Sequence, residues 1–156
     1  MADSTYLKKV VEPFIMRWVS QRIGVELKPK PLPVGPRTDG TMVRFEFDGA
    51  SDDGTIGLLV STSHTIKPGG TRKLHVDASI LLRAPFQRRL MAFVSDEVRQ
   101  NFVNKCDGLV ELSKIEMLVC GALPADMQAG VATFQEKAKS EVGDKGKKWK
   151  VGGRRR

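Results

Sequence analysis

The chain has 156 residues, a hydrophobic fraction of 40% and a formal net charge of +8 at pH 7, which suits one globular domain with its own core. No apolar run approaches the roughly 18 residues of a membrane helix, and the opening residues lack the apolar block of an export signal. Two cysteines and two histidines supply neither a disulfide framework nor a zinc site, so we expect a reduced, cytoplasmic protein.

The positive charge is concentrated at the carboxyl end. From residue 137 onward there are nine Lys and Arg residues and two acidic ones, a net of +7, which leaves +1 for the first 136 residues. We expect residues 1–142 to form a single domain and residues 143–156 to form a basic, disordered tail. Such a tail neutralises phosphates without reading sequence, although it also suits acidic proteins or anionic membrane surfaces. We predict a nucleic-acid partner, DNA first, bound by Lys147, Lys148, Trp149, Lys150, Arg154, Arg155 and Arg156.

The amino-terminal third of the chain predicts a helix and then a proline-rich connection. Apolar residues recur at helical spacing from Val10 to Ile23, and Pro13 either kinks this helix or marks the first turn of a shorter one. The four prolines between residues 25 and 40 allow at most a short edge strand at residues 25–28 before an irregular loop.

Residues 43–48 predict the first strand of a hairpin, because apolar and polar side chains alternate there. Glu46 and Asp48 then project from one face, where they could chelate one Mg²⁺ ion. The alternative is a solvated strand face on which Arg44 is their partner.

An Asp-Gly pair at residues 53–54 predicts a two-residue type I′ turn between the hairpin strands. That turn fixes the register of the pairing. Asp48 is then expected opposite Leu59, and Glu46 opposite Ser61.

The second half of the chain alternates helices with strands. Thr71 is expected to cap a second helix that Pro85 ends, with Lys73 and Asp77 as an i, i+4 surface pair. Residues 90–94 form a continuous apolar run, which is typical of a central strand covered on both faces. The remaining predictions are a helix opening at Ser95, a strand over residues 115–120 and a helix starting near Pro124.

The order helix, weak strand, strand, strand, helix, strand, together with the segment "FEFDG", resembles the PD-(D/E)xK nuclease-like superfamily over about residues 5–120. The resemblance implies a restriction-endonuclease-like α/β fold, a single domain whose central mixed sheet is flanked by helices. In that family an Asp near the end of the second strand and a Glu-x-Lys on the third hold Mg²⁺ and activate water against a phosphodiester. Asp48 stands where that first Asp belongs, while Leu59 and Ser61 occupy the places expected of the Glu and Lys.

The resemblance therefore implies either a degraded site or one whose missing groups have migrated to neighbouring elements. The candidates for migration are Glu46, Glu12, Lys73 and Asp77. We predict Asp48 and Lys73 as catalytic residues, and Glu46 and Asp48 as ligands of Mg²⁺ if the site is active.

Three arginines flank the turn from the second helix into the central strand, namely Arg83, Arg88 and Arg89. They could contact phosphates, and the alternative is a solvated loop. The sequence favours a nucleic-acid-binding protein with a nuclease-like fold and a degraded catalytic site. Two alternatives stay open: an active Mg²⁺-dependent nuclease with migrated catalytic residues, and a non-catalytic module that binds a protein partner.

Overall fold

The computed structural model describes residues 5–133, so the predicted tail at residues 143–156 and the domain boundary at residue 142 lie outside the described residues. A π-helical segment, Leu7–Val11, leads into helix α1, and the last described helix, α4, covers residues 125–133. The elements between them are α1 (Glu12–Ile23), β1 (Lys28–Pro36), β2 (Met42–Ala50), β3 (Ile56–Ser61), α2 (Gly70–Arg83), β4 (Arg88–Phe93), α3 (Asp96–Cys106), a 3₁₀ turn (Leu112–Lys114) and β5 (Glu116–Val119).

The five strands form one mixed sheet in the order β1-β2-β3-β4-β5. Strand β2 is antiparallel to both of its neighbours, while β3, β4 and β5 are parallel to one another. Helices α2 and α3 make the crossovers that parallel strands require. The predicted single α/β domain with a mixed sheet flanked by helices is confirmed.

Helices cover both faces of the sheet, and strand β4 contributes to the core on each side. Met91 and Phe93 pack toward α2 and α3, whereas Leu90 and Ala92 pack toward α1 and α4. All four are at most 2% exposed, which confirms the predicted central strand. None of the helices within the described residues is both long and apolar enough to cross a bilayer.

Strand β1 is much longer than the sequence predicts. It covers Lys28–Pro36 and pairs with β2 along that length, so the expectation of a short strand followed by a loop is wrong. Pro29, Pro31 and Pro33 occupy alternate positions, so their backbone nitrogens point to the same side of the strand. A register shift between Pro33 and Gly35 allows Pro36, three residues after Pro33, to point to that side as well. Because β1 is an edge strand, every missing N–H group can fall on the free edge, where no ladder bond is lost.

The turn between β2 and β3 differs in type from the predicted one. The loop contains four residues, 52–55, and Ser51 N–H donates to the Ile56 carbonyl across its base at 3.0 Å. Among the described residues only glycines have positive φ, so Asp53 does not adopt the type I′ conformation. The Asp53 carboxylate instead accepts hydrogen bonds from the Ser51 hydroxyl and from the Thr55 N–H and hydroxyl, which lower its pKa to about 2.

The predicted register of this hairpin is nevertheless confirmed where the two strands pair. Gly49 pairs with Leu58, and Ala50 pairs with Gly57. The predicted two-residue loop, 53–54, and the observed four-residue loop, 52–55, have the same midpoint. The residues on either side therefore pair in the same way, and the register is right although the turn type is wrong.

Helix α2 is capped two residues before the predicted position at Thr71. Gly69 is the capping residue, with φ at 80°, while the Thr71 hydroxyl lies in the first turn and accepts a hydrogen bond from the Asn101 amide at 3.1 Å. Ser95 caps α3 as predicted, because its side chain accepts the Val98 N–H.

Pro13 lies in the first turn of α1, which begins at Glu12, so the second of the two predicted alternatives is confirmed. The Glu12 N–H donates to the Leu7 carbonyl, five residues back, which is the hydrogen bond of a π turn. This turn comes immediately before Pro13, which has no N–H to donate. Glu12 is therefore placed at the junction between the π-helical segment and α1.

Candidate functional site

Strands β2 and β3 pair over a short distance and then separate at Asp48. Their ladder contains two residue pairs, of which Gly49 with Leu58 is the last. The next ladder donor, the N–H of Val60, would bond the Phe47 carbonyl if the pairing continued. It donates instead to Oδ2 of Asp48 at 2.7 Å.

A bulge in β2 explains this position of Asp48. Lys28 pairs with Ala50 and Lys30 pairs with Phe47, so three steps along β2 match two steps along β1. The extra residue lies in the segment 48–49, and a bulge of this kind re-aims the side chain that it carries. A glycine inside a strand pattern, here Gly49, is the sequence signal that could have predicted it.

The predicted pairings of Asp48 with Leu59 and of Glu46 with Ser61 are not formed, because the ladder ends at Gly49. Leu59 is 5% exposed and belongs to the core under α2 and α3. Leu59 and Ser61 therefore do not define what surrounds the Asp48 carboxylate.

Asp48 lies in a partly buried position between two lysines. Burial raises the pKa of its carboxyl, against the hydrogen bond from Val60 and the charges of Lys73 and Lys8, while Glu46 adds a smaller upward effect. A cleft of about 190 Å³ opens beside it. Its polar lining comes from Lys8, Glu12, Glu46 and Asp48.

Glu12 reaches the same cleft from helix α1. Burial, and then the negative charge of Asp48, raise the pKa of Glu12 to about 7, although Lys8 and Lys73 oppose the shift. The charge of Asp48 thus disfavours the charged form of Glu12, as expected of two carboxylates that line one cleft.

Helix α2 adds a third carboxylate and a lysine on the side of β3. Burial raises the pKa of Asp77, the charge of Asp48 adds to the effect, and Lys73 opposes it. Both α2 side chains line a small cavity of about 50 Å³ with Ser61. Among residues 5–133 the structure has no ion pair within 4.0 Å between Lys73 and a carboxylate, so the expected i, i+4 pair is not closed.

These four residues, Glu12, Asp48, Lys73 and Asp77, are called the acid–lysine cluster below. They come from α1, β2 and α2, and Lys73 lowers the pKa of each of the three carboxyls. The structure thus brings the predicted catalytic residues Asp48 and Lys73 together. Glu46, a predicted metal ligand, lines the same cleft from an exposed position.

Arg88 and Arg89 lie at the other end of the sheet. Arg88 pairs with Ile56 at the start of β3, four residues from Val60, which corresponds to about 13 Å along a strand. Its guanidinium forms a two-point ion pair with Glu116, at 2.5 and 2.9 Å. Arg89 donates to two carbonyls at the end of α2.

Arg83 is placed differently. Its guanidinium lies over Gly35 of strand β1, where a Cβ atom would come within 2.6 Å of Nε. The predicted nucleic-acid residues from Lys147 to Arg156 lie outside the described part of the chain.

The donor set suits a hard divalent cation bound through few protein ligands. Within residues 5–133 no group of three or more His, Cys, Asp or Glu side chains is placed to share a metal ion. Mg²⁺ commonly takes only one or two carboxylates and keeps waters or phosphate oxygens as its other ligands. Glu12 and Asp48, whose raised pKa values a cation would relieve, fit that requirement.

Sequence reasoning named all four members of the cluster but not the features that assemble them. The π-helical segment before Glu12 and the bulge at residues 48–49 both depend on packing between elements. Comparison with protein-family models, with curated proteins and with solved structures finds no significant match to this chain.

Proposed function

We propose that the protein is a Mg²⁺-dependent nuclease whose reactive groups form the acid–lysine cluster. The supporting observation is the convergence of three partly buried carboxylates and one lysine at the point where β2 and β3 separate. The charge of Asp48 raises the pKa of both Glu12 and Asp77, and a divalent cation neutralises such a local concentration of negative charge.

Each member of the cluster has a role in this proposal. Glu12 and Asp48 would hold Mg²⁺, which when bound supplies an acidified water and polarises a phosphoryl oxygen. Lys73 would neutralise charge on the scissile phosphate, and Asp77 would add a third negative charge beside the metal. The Val60 N–H fixes the Asp48 carboxylate by its 2.7 Å hydrogen bond.

The substrate class follows from charge and from the family resemblance. The chain carries a net charge of +8 at pH 7, which favours polyanionic partners. The element order and the position of Asp48 resemble the PD-(D/E)xK nucleases, whose substrates are phosphodiesters.

A second candidate function is nucleic-acid binding without hydrolysis. The observation in its favour is that no three potential metal ligands within the described residues can share an ion. Under this candidate the carboxylates are a relic, and the protein acts through its cationic surfaces alone.

Metal binding separates the two candidates. Isothermal titration of the full chain with Mn²⁺, a Mg²⁺ substitute, should give binding that is lost in Asp48→Asn and in Glu12→Gln. Asp52→Asn, an exposed turn residue, is the matched control and should bind as the parent does. If the parent takes up no Mn²⁺, or if Asp48→Asn takes it up equally, the nuclease proposal is wrong and the binding candidate is favoured.

A further inference from the structure

A second concave surface lies along helix α2, away from the acid–lysine cluster. It is a groove of about 490 Å³ between α2 and edge strand β1, called the α2 groove below. Its apolar floor consists of Val34, Val76 and Ile80, and Val76 is 58% exposed. Its polar rim carries Arg72, His75 and Arg83, with no carboxylate among the described residues that line it.

The two groove arginines are available to a ligand, in contrast to the arginines of the neighbouring turn. Arg88 is held by Glu116, and Arg89 is held by backbone carbonyls. Within residues 5–133 neither Arg72 nor Arg83 has an ion pair or a side-chain hydrogen bond. Two guanidinium groups without a partner among residues 5–133, in a groove that no described carboxylate lines, suit an anionic ligand.

The length and composition of the α2 groove suit an extended polyanion that also has apolar surfaces. Arg72 and Arg83 are eleven residues apart on one helix, which corresponds to about 16 Å. The exposed Val76 and the half-buried Ile80 lie between them. A duplex presents mainly phosphates to such a surface, whereas a single strand presents phosphates together with unstacked bases.

Strand β1 argues against the other extended occupant, an acidic peptide added to the sheet. Peptides that join a sheet edge need the free N–H groups of the edge strand. In β1 the prolines at alternate positions from 29 to 33 remove those donors, and Pro36 removes one more.

We propose that the α2 groove binds single-stranded nucleic acid, with phosphates on Arg72 and Arg83 and bases over the apolar floor. The proposal rests on the proposed function only for the class of ligand, since the α2 groove and the acid–lysine cluster are separate surfaces. Gly35 is a positioning residue, because its missing Cβ lets the Arg83 guanidinium lie against β1.

The test is the affinity of the full chain for a fluorescein-labelled 30-nucleotide single strand, measured by anisotropy in EDTA. The double variant Arg72→Ala/Arg83→Ala should bind at least tenfold more weakly. The slope of log K against log salt should fall by about 1.4, which is two phosphate contacts at about 0.7 each. The control, Arg17→Ala/Lys114→Ala, removes the same charge from helix α1 and from the far edge of the sheet and should bind as the parent does.

Positioning and ligand class each have their own measurement. Gly35→Ala keeps every charge but displaces Arg83, so it should weaken binding by a smaller factor than the double variant. Equal affinity of the double variant and the control would overturn the proposal. So would binding of a poly-glutamate peptide that depends on Arg72 and Arg83 while the single strand does not. Because no metal is present, these results do not depend on whether the acid–lysine cluster hydrolyses nucleic acid.

Discussion

Oδ2 of Asp48 accepts the backbone N–H of Val60 at 2.7 Å, and this bond stands where the ladder between β2 and β3 ends. Asp48→Ala would leave a buried N–H without its acceptor, so we expect it to lower the free energy of unfolding by about 1–3 kcal/mol. Asp48→Asn keeps an oxygen for Val60 and removes a charge that burial disfavours. Its stability should therefore equal or exceed that of the parent, as measured by urea denaturation at pH 7. An equal loss of unfolding free energy in Asp48→Ala and Asp48→Asn would show that the hydrogen bond to Val60 does not stabilise the fold.

Glu12 should make stability depend on pH between about 4.5 and 7, because its pKa is raised from 4.5 to about 7 in the folded chain. The folded state keeps a proton that the unfolded state releases, so stability is lost as pH rises through this window. Glu12→Gln removes the loss. Because the side chain is partly exposed, solvent screening leaves about 1 kcal/mol, or about 2–4 °C in Tm.

The measurement for Glu12 is the Tm of parent and variant at pH 4.5 and at pH 8. The two should agree at the lower pH, and Glu12→Gln should be the more stable at the higher one. In the parent, 10 mM Mg²⁺ should recover part of the difference at pH 8. If Glu12→Gln were less stable than the parent at pH 8, the attraction of Lys8 and Lys73 for the Glu12 carboxylate would exceed the cost of burying its charge.

Gly57 of strand β3 allows the ring of Phe86 to pack against the sheet. A Cβ at this position would come within 2.2 Å of the ring, and Phe86 in turn packs edge-on against Phe47 at 4.9 Å between centroids. Gly57→Ala should therefore destabilise the fold by about 1–3 kcal/mol or more. Gly70→Ala, in the first turn of α2 with only an ordinary contact at 3.7 Å, is the control and should be neutral or slightly stabilising. Chemical denaturation of the two variants decides whether this packing is right.

The carboxyl-terminal residues should supply a separable electrostatic part of nucleic-acid binding. Truncation after residue 142 removes seven Lys and Arg residues and one Asp. The slope of log K against log salt should fall by up to about 5 for a single strand, if each cation contacts one phosphate. Binding that is unchanged by truncation would exclude the tail as a contact surface.

Local patterns predicted most of the fold. The central strand at residues 90–94 and the cap at Ser95 depend on side chains within one element, and both were predicted correctly. The full length of strand β1 was missed because prolines are excluded from strands only where their N–H group would donate to a neighbouring strand. An edge strand has one side on which no such hydrogen bond is formed. The sequence alone does not reveal that the prolines could share that side.

The candidate site was harder to predict because it depends on contacts between elements. The spacing of Glu46 and Asp48 placed both along one cleft, but the pairing with Leu59 and Ser61 assumed a regular ladder. The bulge at residues 48–49 breaks that ladder. Glu12 and Asp77 lie 36 and 29 residues from Asp48 in the sequence, and their convergence is set by how α1 and α2 pack on opposite faces of the sheet.

The most direct test of the central claim is cleavage of labelled single-stranded and duplex oligonucleotides by parent, Asp48→Asn and Asp52→Asn proteins purified in parallel. The proposal predicts cleavage by the parent and by Asp52→Asn in Mg²⁺ or Mn²⁺, no cleavage in EDTA, and at least a hundredfold loss in Asp48→Asn. Because Asp48→Asn keeps the acceptor for Val60, that loss cannot be ascribed to unfolding. No cleavage by the parent with either metal, or equal cleavage by Asp48→Asn, would contradict the account.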